Sequence, residues 1–398
     1  MSKKPKIFYC AWTPPNKKSG ATLAMRRHFI EHNNFDIFVA SSGEFNEPYI
    51  PSISIDTPSW LNRIRSTRLW RFVQNFEILI WSQRLPSQLL KAAESFQPEA
   101  IFTVADMTLS ESARLLAKKL RVPLITNFQD WWPRGQFYYP AEKPYSPLIP
   151  LLEKRFKRLY RDSALAFCTS EGMKEFLGPH PNSHVLYPIG AQETHNQLDD
   201  NIKIPPKITS NKLKKRLIYT GTAFGSYGKM LQLLARELKK SANWELVIFG
   251  ARPDWPISEI QEAEKSGLYR GFLPFEQLKH ELETSDACLS VMSFDKKLET
   301  MMRTSFTTKL LDYCKVGKPI IMWGPDYCSP VKLTRKHGAA LTVTRLDASD
   351  VVEALSRIDS EKELASELST QSRELGKGEL SHEKIHTVFA NNINKILI

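Results

Sequence analysis

Lys309 and Asp312 stand three residues apart in the run Ser305-Phe306-Thr307-Thr308-Lys309-Leu310-Leu311-Asp312-Tyr313-Cys314-Lys315-Val316-Gly317-Lys318-Pro319. Residues at that spacing share one face of a helix, and these two lie near its start, where unpaired N–H groups attract anions. A cation and a carboxylate so placed can hold a phosphate and a sugar hydroxyl together. The same pair also suits an ordinary salt-bridged, solvated helix. Gly317 ends the helix through a left-handed cap and Pro319 keeps it from resuming, so a short apolar strand follows.

Four other stretches carry candidate chemistry. Gly20 opens a helix after the first strand, where a residue without a side chain lets backbone N–H groups approach an anion or a sugar. Asp130, in Phe128-Gln129-Asp130-Trp131-Trp132-Pro133, follows a strand and can orient a nucleophilic hydroxyl or accept its proton; it can equally cap a turn. Tyr219-Thr220-Gly221-Thr222-Ala223-Phe224-Gly225-Ser226-Tyr227-Gly228-Lys229 combines three glycines with a lysine, the makings of a phosphate cradle, without matching a Walker motif. Ser170 and Glu171 form a capping pair at a helix start.

The elements that position these groups alternate strand and helix. Apolar, β-rich runs fall at 6–12, 36–40, 100–105, 122–127, 164–169 and 184–187, and again at 216–221, 244–249, 268–272, 287–291, 319–323 and 340–344. Helical patterns separate them at 110–120, 151–161, 230–240 and 275–284. Continuous apolar strands between amphipathic helices mean parallel sheets covered on both faces. The expected fold class is therefore α/β with two Rossmann-like domains. Residues 1–190 form the first and 212–375 the second; 191–211, polar and holding Pro205 and Pro206, form the linker, and a last helix at 382–398 is available to cross back.

At 398 residues and 42% hydrophobic, the chain is long and apolar enough for two cores. No apolar run approaches the roughly 20 residues that span a bilayer, and the run at 7–12 is too short for a signal-peptide core. Five cysteines without a Cys-x-x-Cys pair argue against a disulfide framework or a zinc site. The expected location is the cytoplasm.

The net charge of +12 is uneven. Residues 1–190 hold 25 Lys and Arg against 16 Asp and Glu, whereas 191–398 hold 30 against 27. Arg63, Arg65, Arg68 and Arg71 lie among Trp60, Trp70 and Phe72, and Lys154, Arg155, Lys157, Arg158 and Arg161 form a second cluster. Basic residues interleaved with tryptophan suit the surface of an anionic membrane or nucleic acid; a plain solvated basic helix fits as well.

The run through Lys309 and Asp312 resembles the donor-binding signature of GT-B glycosyltransferases related to family four, Lys-Leu-x-Glu-Tyr-x-x-x-Gly-Lys-Pro-Ile, with Asp312 in place of the ribose-holding Glu. The segment at 128–133 resembles that family's acceptor-facing loop, with Gln129 where many relatives have histidine, and 153–177 matches its basic helix, strand and Ser-Glu-x-Met turn. The resemblance implies two domains facing a central cleft and a nucleoside-diphosphate sugar as donor. Gly20, Gly221, Thr222, Lys229, Lys309 and Asp312 would then hold the donor; Gly250, Phe272 and Leu273 would lie at strand ends that frame the base, and Asp130 would serve the acceptor. It further implies transfer with retention of configuration to a glycan or lipid-linked acceptor in cell-envelope polysaccharide synthesis, peripheral contact with an anionic membrane, and no nucleic-acid partner. No metal or other cofactor is expected: no Asp-x-Asp occurs, which agrees with a diphosphate neutralised by helix dipoles and basic side chains. One departure stands out, since the family's first Glu, which contacts the transferred sugar, is Thr304 here. A nucleotide-sugar epimerase of the same fold and a non-catalytic binding module are the alternatives.

Overall fold

The computed structural model describes residues 4–17, 20–56, 61, 63, 64, 67–106, 108–134, 148–190, 214–241 and 243–397. The expected linker at 191–211 lies outside them. Backbone proximity divides the chain into two compact units, residues 1–189 with 385–398, and residues 190–384.

The first unit is built on a seven-stranded sheet in the order β3-β2-β1-β4-β5-β6-β7. Its strands are β1 (Lys6–Ala11), β2 (Asp36–Ser41), β3 (Ser52–Ser54), β4 (Ala100–Val104), β5 (Leu124–Phe128), β6 (Leu165–Cys168) and β7 (Ser183–Val185). Every pairing is parallel. β4, β5 and β6 are buried at every position, as expected of strands covered on both faces. The helix His382–Leu397 contributes Phe389, fully buried among the rings of Phe29, Phe35, Phe102 and Phe167. An aromatic residue of this size carries much of a helix's docking energy.

The second unit holds β8 (Lys215–Thr220), β9 (Trp244–Phe249), β10 (Ala287–Val291), β11 (Ile320–Trp323) and β12 (Leu341–Val343), parallel and in the order β12-β11-β10-β8-β9. From β8 the chain winds first to β9 on one side, then to β10 on the other. The strand order therefore reverses between β8 and β10, and in such sheets the crevice beyond the carboxyl ends of those strands is the usual ligand site.

Three sequence expectations need correction. The run at 268–272 forms a single bridge, Ile248 to Tyr269, and no strand. Gly271 has φ +72, and positive φ takes the chain out of the extended conformation there. The helix expected at 230–240 runs as Gly225–Leu238, and its first turns take in Gly228, where a Cβ would come within 2.6 Å of the Ala223 carbonyl oxygen. The edge strand β3 was not anticipated; two of its three residues are exposed, so it lacks an apolar signal.

The basic clusters are described in part. Trp60 and Arg65 lie outside the described residues, while Arg63 and Arg68 are exposed. In the second cluster Arg155 donates to the carbonyls of Ile78 and Leu79, at 3.0 and 3.2 Å, which end the helix Trp70–Leu79. Arg158 donates to Glu111 at 2.9 Å. Two of its five cations are therefore engaged in holding the unit together. Among the described residues no helix is long and apolar enough to cross a membrane.

Candidate functional site

The carboxyl end of β8 is where the second unit gathers its polar groups. The chain turns sharply at Gly221, whose φ of +108 excludes ordinary side chains. Its N–H donates to the Phe249 carbonyl at the end of β9. Gly250 follows with φ +133, and a Cβ there would stand 2.8 Å from the Cα of Gly221. Its own N–H reaches the Gly271 carbonyl at 2.8 Å, while Tyr269 Oη donates to its carbonyl at 3.0 Å. Bare backbone at Gly221, Gly250 and Gly271 is thus stacked beyond the ends of β8 and β9.

The helix Lys309–Val316 brings the charge to this place. A Cβ on Gly221 would overlap the Cε of Lys309 and lie 3.1 Å from its Nζ, so the lysine runs directly against the glycine. Lys309 Nζ donates to Tyr219 Oη at 2.7 Å, and that phenol donates in turn to the Thr222 carbonyl at 2.5 Å. Tyr227 contributes a ring 5.8 Å from the ammonium. Burial pulls the Lys309 pKa down to about 7 from its ordinary 10.5, as desolvation does to any cation with no anion beside it. The residue as a whole keeps some contact with solvent, while its amine lies between Tyr219, the Tyr227 ring and the glycine turn.

A second tyrosine fastens the same helix. Tyr313, fully buried, accepts from the Thr220 N–H at 2.9 Å and lies 3.0 Å from the Thr220 hydroxyl. The end of β8 is held to the helix start from both sides. Asp312 stands between these anchors in sequence and is half-buried.

The remaining expected residues divide. Gly221, Thr222, Gly250 and Lys309 come together in one cluster. Phe272 is 78% exposed beside the Gly271 turn and Leu273 is half-buried. Lys229 is exposed on the second turn of its helix, flanked by buried Gly228 and Met230. Thr304 is buried, and its hydroxyl bonds back to the Thr300 carbonyl at 2.9 Å. Gly20 and Asp130 belong to the first unit. There the Gln129 amide donates to the Ala21 carbonyl at 3.4 Å, linking the Asp130 loop to the start of the helix Gly20–Arg26.

Four residues of these sites escaped sequence reasoning. Tyr219 and Tyr313 stand inside the two motifs, but the sequence assigned neither a role. Asp254 accepts from the Gly225 N–H at 2.9 Å, so a carboxylate occupies the first donor of the Gly225–Leu238 helix. In the first unit Asp106 accepts from the backbone N–H groups of Trp12, Thr108 and Ser110, at 2.6, 2.8 and 3.0 Å. That ties the ends of β1 and β4 together where the first sheet reverses its order. Burial raises the Asp106 pKa against the lowering effect of those bonds. An aspartate three residues before the helix Leu109–Leu120 was the only available signal.

No protein-family model matches the chain, and no curated protein matches it in sequence. Solved structures match along the full length. A glycosyltransferase from Rickettsia africae has a TM-score of 0.67 and 13% identity, covering 100% of this chain and 99% of its own. Sucrose-phosphate synthase from Thermosynechococcus elongatus has a TM-score of 0.64 and 12% identity, with 99% of each chain covered. Anabaena HepE in complex with UDP and glucose matches at 0.64 and 12%, covering 98% of this chain and 100% of its own. The fold is GT-B. A UDP-GlcNAc 2-epimerase from Neisseria meningitidis, bound to UDP-GlcNAc, shares this GT-B fold at a TM-score of 0.53 and 14% identity. Both of its Rossmann-like units are present here, and the cluster at the end of β8 lies in the second.

Proposed function

We propose that the chain is a sugar-nucleotide-dependent glycosyltransferase whose second unit holds the donor. The observation that carries this reading is the enclosed Lys309 ammonium pressed against Gly221, at the point where the parallel sheet reverses its order. A cation with bare backbone around it suits a diphosphate, which needs both charge and close approach. Anabaena HepE, a GT-B protein, is solved with UDP and glucose and with UDP-glucose, which supports a uridine nucleotide as the first donor to try.

In this reading Lys309 sits against the leaving diphosphate and neutralises the charge that grows as the glycosidic bond breaks. Asp312 receives the ribose hydroxyls, Phe272 and Leu273 flank the base beyond Gly250, and Lys229 adds long-range attraction. Asp130 orients the acceptor hydroxyl, with Gly20 lining its approach. No metal is assigned: in this reading lysine meets the diphosphate charge, and the bare backbone at Gly221 and Gly250 allows close approach. The acceptor is a glycan or lipid-linked intermediate of the cell envelope, brought close by the basic first unit at an anionic membrane face, and the sugar is transferred with retention.

The test is a thermal-shift screen with UDP-, GDP- and dTDP-sugars, followed by calorimetry, since a ligand of the native state raises its apparent stability. Asp312→Ala should weaken the best binder by about 1.5–3 kcal/mol, the range for hydrogen bonds to a charged group. Failure of every sugar nucleotide to bind the folded protein would refute the donor site. The epimerases that share the fold favour a second reading, nucleotide-sugar epimerisation. Turnover of the sugar nucleotide with no acceptor present would establish that reading over transfer.

A further inference from the structure

The lysine of the donor cluster is not held by any carboxylate among its hydrogen-bond partners given above. Its partner is the phenol oxygen of Tyr219, a side chain wholly removed from solvent at the end of β8. That oxygen is used twice, once to receive the ammonium at 2.7 Å and once to donate to the Thr222 carbonyl at 2.5 Å. A hydroxyl has one proton to give and lone pairs to receive, so the two bonds are complementary. With its proton committed to Thr222, the oxygen presents only lone pairs to Lys309.

We propose that Tyr219 is a positioning residue for donor binding: its oxygen fixes the Lys309 ammonium against Gly221 and the Thr222 loop to that ammonium, so one side chain sets the cation and the backbone that meet the diphosphate. The inference rests on the donor reading above and adds a residue to it. Geometry supplies the reason. The glycine turn at φ +108 leaves room for the lysine stem only because Gly221 lacks a Cβ, and without an acceptor at its far end the flexible lysine would swing towards water. Fixing it in advance spares the ordering cost that binding would otherwise bear.

The role has a readout that mere structural support lacks. Lys309 titrates near neutrality because burial lowers its pKa to about 7. The titratable groups around it are Tyr219 on β8, Tyr227 on the helix Gly225–Leu238, and Asp312 and Tyr313 on its own helix. Tyr219 and Tyr313 stay neutral through this range, since burial drives both pKa values upward. A diphosphate favours the protonated amine, so affinity should decline as pH rises past about 7. Removing the Tyr219 oxygen takes away an acceptor of the charged form alone, which moves that decline to lower pH.

The experiment is calorimetry on the full chain from pH 6 to 9 with UDP-glucose or, where that does not bind, GDP-mannose or dTDP-glucose. A sugar-capped diphosphate has no terminal phosphate monoester to titrate near pH 6. Wild type should lose about fivefold in affinity between pH 7 and 8 and approach tenfold per pH unit above that, the limit for one proton linked to binding. Tyr219→Phe should bind several-fold more weakly at pH 7.5, with its decline displaced to lower pH. Lys309→Met should bind weakly with no decline over this range. Tyr219→3-fluorotyrosine, nearly isosteric and a poorer acceptor, should show a smaller displacement in the same direction and covers the case in which the phenylalanine variant does not fold. Binding by wild type with a profile unchanged in both Tyr219 variants overturns the positioning role and leaves the donor site standing. No binding by wild type at any pH overturns both.

Discussion

Replacing Lys309 by methionine should stabilise the unliganded protein while disabling the proposed donor site. The amine is held at a pKa of about 7 against an ordinary 10.5, with burial as the cause. At 1.36 kcal/mol per unit the difference caps the cost of the buried charge at about 5 kcal/mol. Residual solvent contact and the Tyr219 bond screen much of that, and about 1–2 kcal/mol is the expected gain on substitution. Methionine is flexible enough to fill the lysine's channel without a new cavity. The sign follows from proton counts: between pH 7 and 10.5 the unfolded chain binds the proton and the folded chain does not, so wild-type stability rises with pH across that window. The advantage of Lys309→Met is therefore full below pH 7 and gone near pH 10.5. For a unit of this size each kcal/mol moves Tm by about 2–4 °C, so melting at pH 6 should occur about 2–8 °C higher in the variant. Thermal denaturation at pH 6, 8 and 10, paired with calorimetry of the best sugar nucleotide, checks both halves. A variant that melts earlier at pH 6, or whose difference from wild type does not shrink with pH, would refute the reasoning.

Three further outcomes follow from single contacts. Gly221→Ala should cost about 1–3 kcal/mol through its positive φ, with donor affinity falling as the new Cβ displaces Lys309; urea denaturation and calorimetry separate the two effects. Asp254→Ala should lose about 0.5–2 kcal/mol of capping at Gly225, read as a lower urea midpoint at pH 7. Arg155→Met should destabilise the first unit by about 1.5–3 kcal/mol by releasing the Ile78 and Leu79 carbonyls; amide exchange would be faster at the end of the Trp70–Leu79 helix, and unchanged protection there would count against the role.

Much of the architecture was legible because parallel strands advertise themselves. β1, β4, β5, β6, β8, β9, β10 and β11 are apolar runs broken by polar, periodic segments, and no other arrangement buries both faces of such strands. Gly317 and Ser170 were legible for local reasons. One takes φ +69 at a helix end, and the hydroxyl of the other accepts from the Met173 N–H at 3.0 Å. The run at 268–272 misled because its apolar residues serve a bridge and an exposed turn instead of a ladder. For the basic cluster at 154–161, charge counts do not reveal which arginines already have carbonyls or carboxylates to bind.

The site shows the same division more sharply. Gly221 and Lys309 were each noticed, but as members of separate motifs, and their relation is steric: the glycine is bare because the lysine passes beneath it. Tyr219 carried no signal at all, since a tyrosine in an apolar strand is ordinary until its oxygen is found between an ammonium and a carbonyl. A salt bridge would have held Lys309 more firmly and kept it charged at every physiological pH. For the proposed donor site it would also have spent attraction, because a paired cation offers little to an incoming diphosphate. A phenol oxygen fixes the amine without neutralising it, and burial leaves its charge poorly screened. Such a group destabilises the empty protein and strengthens the filled one, the trade expected where a buried polar group serves binding.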